Sequence, residues 1–308
     1  MSTSSEKPEW MLRKERGSMF WLRVMTRISM WVGRGPSRIV VYGIALYFLL
    51  AVSAARQASR SYLERALGRR ASWLDLYRHV LSFASTVHDR IYLLNDAEGV
   101  FDVKCFGLPQ SDPGMQAGQG AFLFGAHLGS FEVLRAAARR DERDKLSVAM
   151  YPENARQINE ALAAINPKAV SNIIALGKID SILTIHQRLK DGGMVGILAD
   201  RAVGQDQYMS LPFMGAPASF PIGPFRLAAM LGQPVYFMTG LYCGGKRYEV
   251  HFELLADFAD KAGKSRDTLI HELMTRYVTT LERYCKRAPF NWFNFYDFWG
   301  ETHLGSHA

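Results

Sequence analysis

Short apolar runs separated by helical stretches dominate the chain after residue 120. Each run has the length of a β-strand. The runs cover residues 121–126, 146–150, 171–176, 194–199, 235–241 and 248–254. The helical stretches between several of them cover residues 131–140, 155–165, 179–190 and 224–231. Strands that alternate with helices predict an α/β fold, in which helices cover both faces of a sheet.

Two longer amphipathic patterns lie outside this alternation. Residues 72–95 carry apolar side chains near helical spacing and predict one or two helices. Residues 265–287 repeat apolar side chains on one side and stop before Pro289, which predicts the last helix of the chain.

The N-terminal 70 residues have a different pattern. Residues 39–55 are 17 residues without a charge, with arginines before and after them. A helix of that length reaches about 25 Å, short of a bilayer core of about 30 Å. A tilted span, a re-entrant hairpin and a surface-lying helix therefore all stay open, with a buried core helix as the alternative. Arginines interleaved with apolar residues over 10–31 favour a lipid headgroup boundary.

The charge distribution supports this division of the chain. The net charge is +8, but residues 1–70 hold 13 Lys and Arg against 4 Asp and Glu, a net of +9. Residues 71–308 are then close to neutral, at −1. We therefore expect a basic, apolar, membrane-associating segment over 1–70 and a separate domain over 71–308, with no nucleic-acid partner.

The three cysteines are widely spaced and give neither a disulfide framework nor a zinc pattern. The sequence contains no phosphate-binding loop, no dinucleotide-binding glycine motif, no serine nucleophile elbow and no zinc-protease motif. The chemistry must therefore come from another arrangement of residues.

One histidine stands where an apolar run ends. His127 follows the run 121–126, and Gly129 and Ser130 predict a turn and a helix start. Ser130 can cap that helix, which places Glu132 in its first turn and lets its carboxylate fold back to the imidazole. A carboxylate bonded to one ring nitrogen stabilises the imidazolium, and the other nitrogen can then take a proton from a hydroxyl. On these residues alone, a packed histidine beside an unrelated glutamate is an equally open interpretation.

The same five-residue spacing occurs again between His186 and Asp191. This second pair lies in a helical pattern, where positions five apart do not face each other well. His127 and Glu132 are therefore the better candidate pair.

The stretch from Ala126 to Glu132 resembles the His-x4-Asp/Glu signature of the glycerolipid acyltransferase superfamily, and specifically of the bacterial lipid A biosynthesis acyltransferases. Three other stretches resemble that family in the same order. They are residues 194–201, which end in Asp200 and Arg201, residues 211–235 with a Phe-x-Gly block, and the Pro- and Trp-rich residues 288–299. The resemblance spans about residues 20–300 and implies a single mixed sheet flanked by helices, preceded by a membrane-associated helical segment.

The resemblance implies an O-acyltransferase whose catalytic domain covers residues 71–308. It would move a fatty acyl chain from an acyl thioester, carried by acyl carrier protein or coenzyme A, to a hydroxyl of a lipid or glycolipid acceptor. His127 would be the general base and Glu132 would orient it. The resemblance implies no metal and no cofactor beyond the acyl-thioester co-substrate. The implied location is the bacterial inner membrane, with the catalytic domain on the cytoplasmic face.

Four further residues are candidates for substrate contacts. Asp200 and Arg201 close the run 194–199, and Arg201 would contact a phosphate or the donor, with a surface arginine as the alternative interpretation. Arg156 offers a guanidinium to an acceptor anion, with a solvated helical arginine as its alternative. Gly129 leaves room for a substrate close to the backbone.

The aromatic residues near the C-terminus are either packed over the sheet or exposed at a membrane interface, and packing is the favoured interpretation. Two other functions fit the same residues. One is a hydrolase that uses the His/Glu pair on water, and the other is a non-catalytic glycolipid-binding protein of the same fold.

Overall fold

The structure is a computed structural model of the 308-residue chain, and it describes most of the sequence after residue 18. The described residues are 19–95, 99–112, 118–137, 145–151, 162, 165–166, 172–177, 179–201, 207–258, 263 and 265–300. Arg156 and most of the predicted helix over 155–165 lie outside the described residues.

A seven-stranded mixed sheet forms the centre of the molecule. The strands within the described residues are β1 (Asp102–Phe106), β2 (Ala121–Gly125), β3 (Leu146–Met150), β4 (Asn172–Ala175), β5 (Met194–Leu198), β6 (Tyr208–Phe213), β7 (Ala216–Pro221), β8 (Val235–Tyr242) and β9 (Arg247–Ala256). The sheet has the order β1-β9-β8-β2-β5-β3-β4, in which β8 and β9 are antiparallel and the other neighbours are parallel. The predicted α/β class and mixed sheet are confirmed, and β2, whose five residues are all buried, lies at the middle of the sheet.

Helices pack around this sheet. They are α1 (Met19–Val32), α2 (Arg34–Ala51), α3 (Ser53–Leu67), α4 (Trp73–Leu94), α5 (Glu132–Ala137), α6 (Ile179–Lys190), α7 (Gly223–Leu231) and α8 (Arg266–Arg287). The pattern over 72–95 is the single helix α4, which begins with a capping box between Ser72 and Asp75. The predicted last helix is α8, capped by the Ser265 hydroxyl.

Three strands were not predicted. Strand β1 lies at the edge of the sheet with four of its five residues exposed, so it lacks the apolar run of a buried strand. Strands β6 and β7 form a separate antiparallel hairpin that contains prolines at 212, 217 and 221, residues that usually weigh against a strand. The expectation of one sheet is therefore corrected to one large sheet and one hairpin.

The uncharged run 39–55 is broken at Val52, which has non-helical backbone angles between α2 and α3. Over the described residues, no single helix is long and apolar enough to cross a membrane. Helices α2 and α3 reach the length and apolar composition of a membrane span only together, and their axes are bent by 95°.

Helix α2 is fixed to α4 by buried polar contacts. Arg34 makes a bidentate ion pair with Asp89 at 2.7 and 2.8 Å, and Asp89 also accepts a hydrogen bond of 2.8 Å from the Tyr248 hydroxyl. The Ser37 hydroxyl lies 3.0 Å from Nε2 of His88. Because the Arg34 and Asp89 side chains are both buried, leaving either one without its partner would be costly.

The C-terminal aromatic residues pack over one face of the sheet. Trp292, Phe293, Tyr296 and Phe298 are all buried. The Trp292 ring contacts Tyr62 of α3 and Phe213 of the hairpin, at centroid distances of 4.9 and 5.4 Å. The prediction that these residues pack in the interior is confirmed.

Candidate active site

His127 and Asp200 stand side by side at the carboxyl ends of two neighbouring parallel strands. Gly125 of β2 is in register with Leu198 of β5, and the Ala199 amide donates to the Gly125 carbonyl at 3.0 Å. His127 and Asp200 each lie two residues beyond this last paired position, so the register of the two strands brings them side by side. Open α/β sheets bind ligands outside the carboxyl ends of their strands, so this is the expected edge for a site.

The two oxygens of the Asp200 carboxylate bind different parts of His127, one the imidazole and the other the backbone amide. Nδ1 of His127 lies 2.9 Å from Oδ1 of Asp200, and the His127 amide donates to Oδ2 at 3.1 Å. The Asp200 side chain is fully buried, whereas 38 % of the His127 side chain is exposed. Since Nδ1 faces the carboxylate, Nε2 is the ring nitrogen that a substrate hydroxyl can reach.

Asp200 carries a negative charge at neutral pH. Burial alone raises the pKa of Asp200, but the charge and hydrogen bond of His127, followed by the charge of Arg201, outweigh it and hold the pKa well below its usual range. A buried carboxylate of this kind stabilises an imidazolium when the ring takes up a proton.

The expected pairing of His127 with Glu132 is corrected by this geometry. Glu132 is the first residue of α5, where its Oε1 makes an ion pair with Nε of Arg90 at 2.7 Å and its Oε2 accepts from the Ser130 hydroxyl at 3.1 Å. Arg90 projects from α4, so the Glu132 carboxylate is directed towards that helix. The carboxylate bonded to the imidazole is Asp200, which the sequence analysis had assigned to substrate contacts.

Gly129 occupies a backbone position that excludes a side chain. Its φ angle is +77°, and a Cβ atom there would collide with the carbonyl oxygen of Gly240. The Gly129 amide donates to the Asn291 carbonyl at 2.8 Å. Glycine is therefore needed for the close packing of the 127–130 turn, and its predicted room for a substrate stays a prediction.

Arg201 contacts the C-terminal segment. Its guanidinium donates to the Phe293 carbonyl at 2.9 Å and lies 5.0 Å from the centre of the Tyr296 ring. Nε of Arg201 is 3.8 Å from Oδ2 of Asp200, an ion-pair distance too long for a hydrogen bond. Its predicted contact with a phosphate or donor stays a prediction.

Residues 291–293 bind both the backbone of His127 and the carboxylate of Asp200, and the sequence analysis did not predict this contact. This segment runs antiparallel to residues 127–129, and the Phe293 amide donates to the His127 carbonyl at 2.7 Å. The Trp292 indole Nε1 donates to Oδ2 of Asp200 at 3.2 Å. The dense aromatic block at 288–299 was the available signal, but nothing in its pattern specified which strand end it covers.

The second His/acid pair is not formed. Asp191 is exposed and accepts from the side chain of Gln187 at 2.8 Å, one helical turn away. Helix α6 ends at Lys190, one residue before Asp191, and the expectation that His186 and Asp191 do not pair is confirmed. Among the described residues, no group of three His, Cys, Asp or Glu side chains is placed to hold a metal ion.

Comparison with known proteins identifies the family. No curated protein matches the chain. A family model of the bacterial lipid A biosynthesis acyltransferases matches residues 103–300, which include β2, β5, both members of the His127 and Asp200 pair, and the segment 291–293. Because this match covers more than half of the sequence, the chain belongs to the bacterial lipid A biosynthesis acyltransferase family.

Proposed function

We propose that the protein is a membrane-associated O-acyltransferase that uses the His127 and Asp200 pair as its base. The observation that carries the proposal is the exposed imidazole held by a buried, ionised carboxylate at the ligand-binding edge of the sheet. The donor is an acyl thioester of acyl carrier protein or coenzyme A, and the acceptor is a lipid or glycolipid hydroxyl.

The reaction needs one proton carrier. Nε2 of His127 takes the proton from the acceptor hydroxyl while the hydroxyl oxygen forms a bond to the thioester carbonyl carbon. The resulting imidazolium is stabilised by Asp200. When the tetrahedral intermediate collapses, the carbon–sulfur bond breaks and the thiolate leaves with the proton from His127. The acyl chain is then an ester of the acceptor, and no covalent acyl-enzyme is required.

Glu132 has a different place in this proposal. Its carboxylate neutralises Arg90 of α4 and binds the Ser130 hydroxyl, so it fixes the turn that carries His127. It therefore supports the site through Arg90 and Ser130, and Asp200 has the orienting role.

The membrane contact is proposed to be the outer face of α2. This face, here named the α2 apolar face, consists of exposed apolar residues. They are Ile39, Val40, Tyr42, Ile44, Leu46, Tyr47, Phe48 and Leu50. At its C-terminal end the guanidiniums of Arg56 and Arg60 lie 5.6 and 6.0 Å from the Trp73 ring. An apolar face with arginines at its end fits the headgroup region of an anionic bilayer, and this fit supports the proposed location at the bacterial inner membrane.

The function is tested with membranes that contain the full chain and labelled acyl donors. Both the acyl carrier protein thioester and the coenzyme A thioester are supplied, with lipid A precursors and phospholipids as acceptors. Transfer of label to lipid is expected. Release of free fatty acid alone would make the protein a hydrolase, and the absence of either product would favour a glycolipid-binding protein.

The mechanism is tested by two substitutions in the same assay. His127→Ala should abolish transfer, and Asp200→Asn should lower kcat by about 10²-fold or more, in line with the usual contribution of a general base. Asp191→Asn is the matched control, because Asp191 is an exposed aspartate bonded to Gln187 and should leave transfer unchanged. Near wild-type turnover of His127→Ala would refute the mechanism.

A further inference from the structure

The indole of Trp292 is bonded to the candidate catalytic pair. The side chain has no solvent exposure, so a substrate cannot touch it. Its Nε1 donates to Oδ2 of Asp200 at 3.2 Å, and that oxygen also accepts from the His127 amide at 3.1 Å. The two donors leave Oδ1 directed at the imidazole. Without the indole, one of the three hydrogen bonds that fix the carboxylate is lost.

The position of Trp292 is itself set by a buried hydrogen bond from α4. Nε2 of His79 lies 2.8 Å from the Trp292 carbonyl, and Nδ1 lies 2.7 Å from the Ser59 hydroxyl of α3. Burial lowers the pKa of His79 to about 4, although the bond to the carbonyl raises it in part, so the ring is neutral at pH 7. A neutral imidazole has one donor, and a carbonyl can only accept. Nε2 therefore carries the hydrogen, and Nδ1 accepts from Ser59.

These contacts form a continuous path from the N-terminal helices to the base. It runs from the Ser59 hydroxyl to His79, from His79 to the Trp292 backbone, and from the Trp292 indole to Asp200. Tyr62 of α3 packs edge-on against the indole at 4.9 Å and restricts its tilt. The buried indole N–H is satisfied by the Asp200 carboxylate, and a hydrocarbon side chain of similar volume could not donate this hydrogen bond.

We propose that Trp292 is a positioning residue, which acts through Asp200 to hold the imidazole of His127 in its productive orientation. The proposal rests on the function proposed above. In the proposed reaction Trp292 touches no reacting atom, and it acts only by fixing the position of the Asp200 carboxylate.

Kinetics of the full chain in membranes test the proposal. Trp292→Phe keeps an aromatic ring and removes the donor, so kcat should fall about tenfold or more with KM little changed, because a bond to a charged group is lost. Trp299→Phe is the matched control, since the Trp299 indole donates to the Phe213 carbonyl at 3.3 Å in the same aromatic cluster but does not bond Asp200. It should leave kcat within about threefold.

A double-mutant cycle separates positioning from general damage to the fold. If Trp292 acts only through Asp200, then Trp292→Phe should lower kcat by less than about twofold once Asp200→Asn is present. A structural defect would instead multiply the two losses. Multiplied losses, or wild-type kcat in Trp292→Phe when His127→Ala is inactive, would overturn the proposal.

A spectroscopic measurement makes the test independent of activity. The chain has six tryptophans, whose indole N–H groups can be followed by ¹⁵N labelling of the protein in detergent. The Trp292 signal should move in Asp200→Asn, and the Trp299 signal should not. If Trp292→Phe does not fold, the signal is assigned from Phe variants of the other five tryptophans. A Trp292 signal unchanged by Asp200→Asn refutes the positioning contact, whereas absence of acyl transfer by the wild type refutes the proposed function alone.

Discussion

Glu132 and Arg90 should behave as one unit. The ion pair at 2.7 Å joins the turn after His127 to α4, and both side chains are partly shielded from water. Glu132→Gln and Arg90→Gln remove the same interaction, so we expect both to lower kcat by similar factors of about tenfold. The double variant should be no worse than the poorer single variant, as measured by acyl transfer.

The control for this pair is Lys286→Gln, which breaks an exposed ion pair with Glu282 on α8 and should leave kcat unchanged. A loss in Glu132→Gln that greatly exceeds the loss in Arg90→Gln would contradict the proposed role. Glu132 would then act directly on the substrate or on His127.

His79 should make the stability of the protein fall between about pH 6.5 and pH 4. Its folded pKa of about 4 lies below the value of an exposed histidine, so only the unfolded chain takes up a proton in this interval. Acidification therefore favours unfolding, by on the order of 3 kcal/mol in total. Below about pH 4 the folded protein also binds the proton, and this contribution stops growing.

His79→Gln tests this contribution. Glutamine keeps a donor for the Trp292 carbonyl and an acceptor for the Ser59 hydroxyl but does not titrate. Denaturant titrations give the free energy of unfolding of the wild type and of His79→Gln. Between pH 7 and pH 4, the wild type should lose on the order of 3 kcal/mol relative to His79→Gln. A difference independent of pH would show that the pKa of His79 is the same in the folded and the unfolded chain, and would contradict the prediction.

The partner of His127 illustrates what single residues reveal in a sequence. The histidine was predicted from its place after a buried run, which depends only on local pattern. Its carboxylate depends on which strand lies beside β2, and Asp200 is 73 positions away along the chain. His127 and Asp200 both follow apolar runs that form neighbouring parallel strands, so knowledge of the strand order would have paired them. Glu132 is nearer in the sequence, but it forms its ion pair with Arg90.

At the scale of elements, the β6–β7 hairpin depends on its two-residue turn. Met214 and Gly215 have φ angles of +52° and +80°, as a tight hairpin turn requires. Gly215→Ala forces a side chain into this left-handed conformation, and we expect it to lower the free energy of unfolding by about 1 kcal/mol.

A glycine-to-alanine substitution inside a helix should change the free energy of unfolding in the opposite direction. Gly43 lies inside α2, where a Cβ atom would meet nothing within 4 Å. Gly43→Ala should therefore raise the free energy of unfolding by up to about 1 kcal/mol, because alanine favours helix. Denaturant titrations in detergent measure the change in unfolding midpoint for Gly215→Ala and Gly43→Ala. Equal destabilisation by the two would contradict the assignment of a turn and a helix to these positions.

Elements with a buried run were predictable, and elements defined by their neighbours were not. Strands β2 and β5 are covered on both faces, so their continuous apolar sequences identify them. Edge strand β1 and the proline-containing hairpin lack that pattern. The break at Val52, where the two helix axes are bent by 95°, was also hidden, because the residues on both sides of it are uncharged.

At the scale of the whole molecule, contacts cross the predicted domain boundary at residue 70. Arg34 of α2 pairs with Asp89, and Ser59 and Tyr62 of α3 contact His79 and Trp292. Removal of residues 1–70 would leave the Asp89 carboxylate and the His79 ring buried without these partners. A truncated chain is therefore a poor test of membrane binding, and point substitutions on the surface are the better one.

The α2 apolar face should carry the membrane affinity of the full chain. Leu50 on this face is 62 % exposed, and Leu183 on α6, which packs on β4 and β5, is also 62 % exposed. Leu50→Glu should reduce binding to phosphatidylglycerol vesicles at least about tenfold, because a buried leucine contributes about 1.5–3 kcal/mol and a carboxylate is repelled. Leu183→Glu is the matched control and should bind as the wild type does.

Salt at 1 M shortens the screening length to about 3 Å, so it should weaken the contribution of the arginines to membrane binding and leave the contribution of the apolar face. Equal losses in the two variants would mean that the membrane meets another surface, and complete release by salt would mean that charge alone holds the protein there.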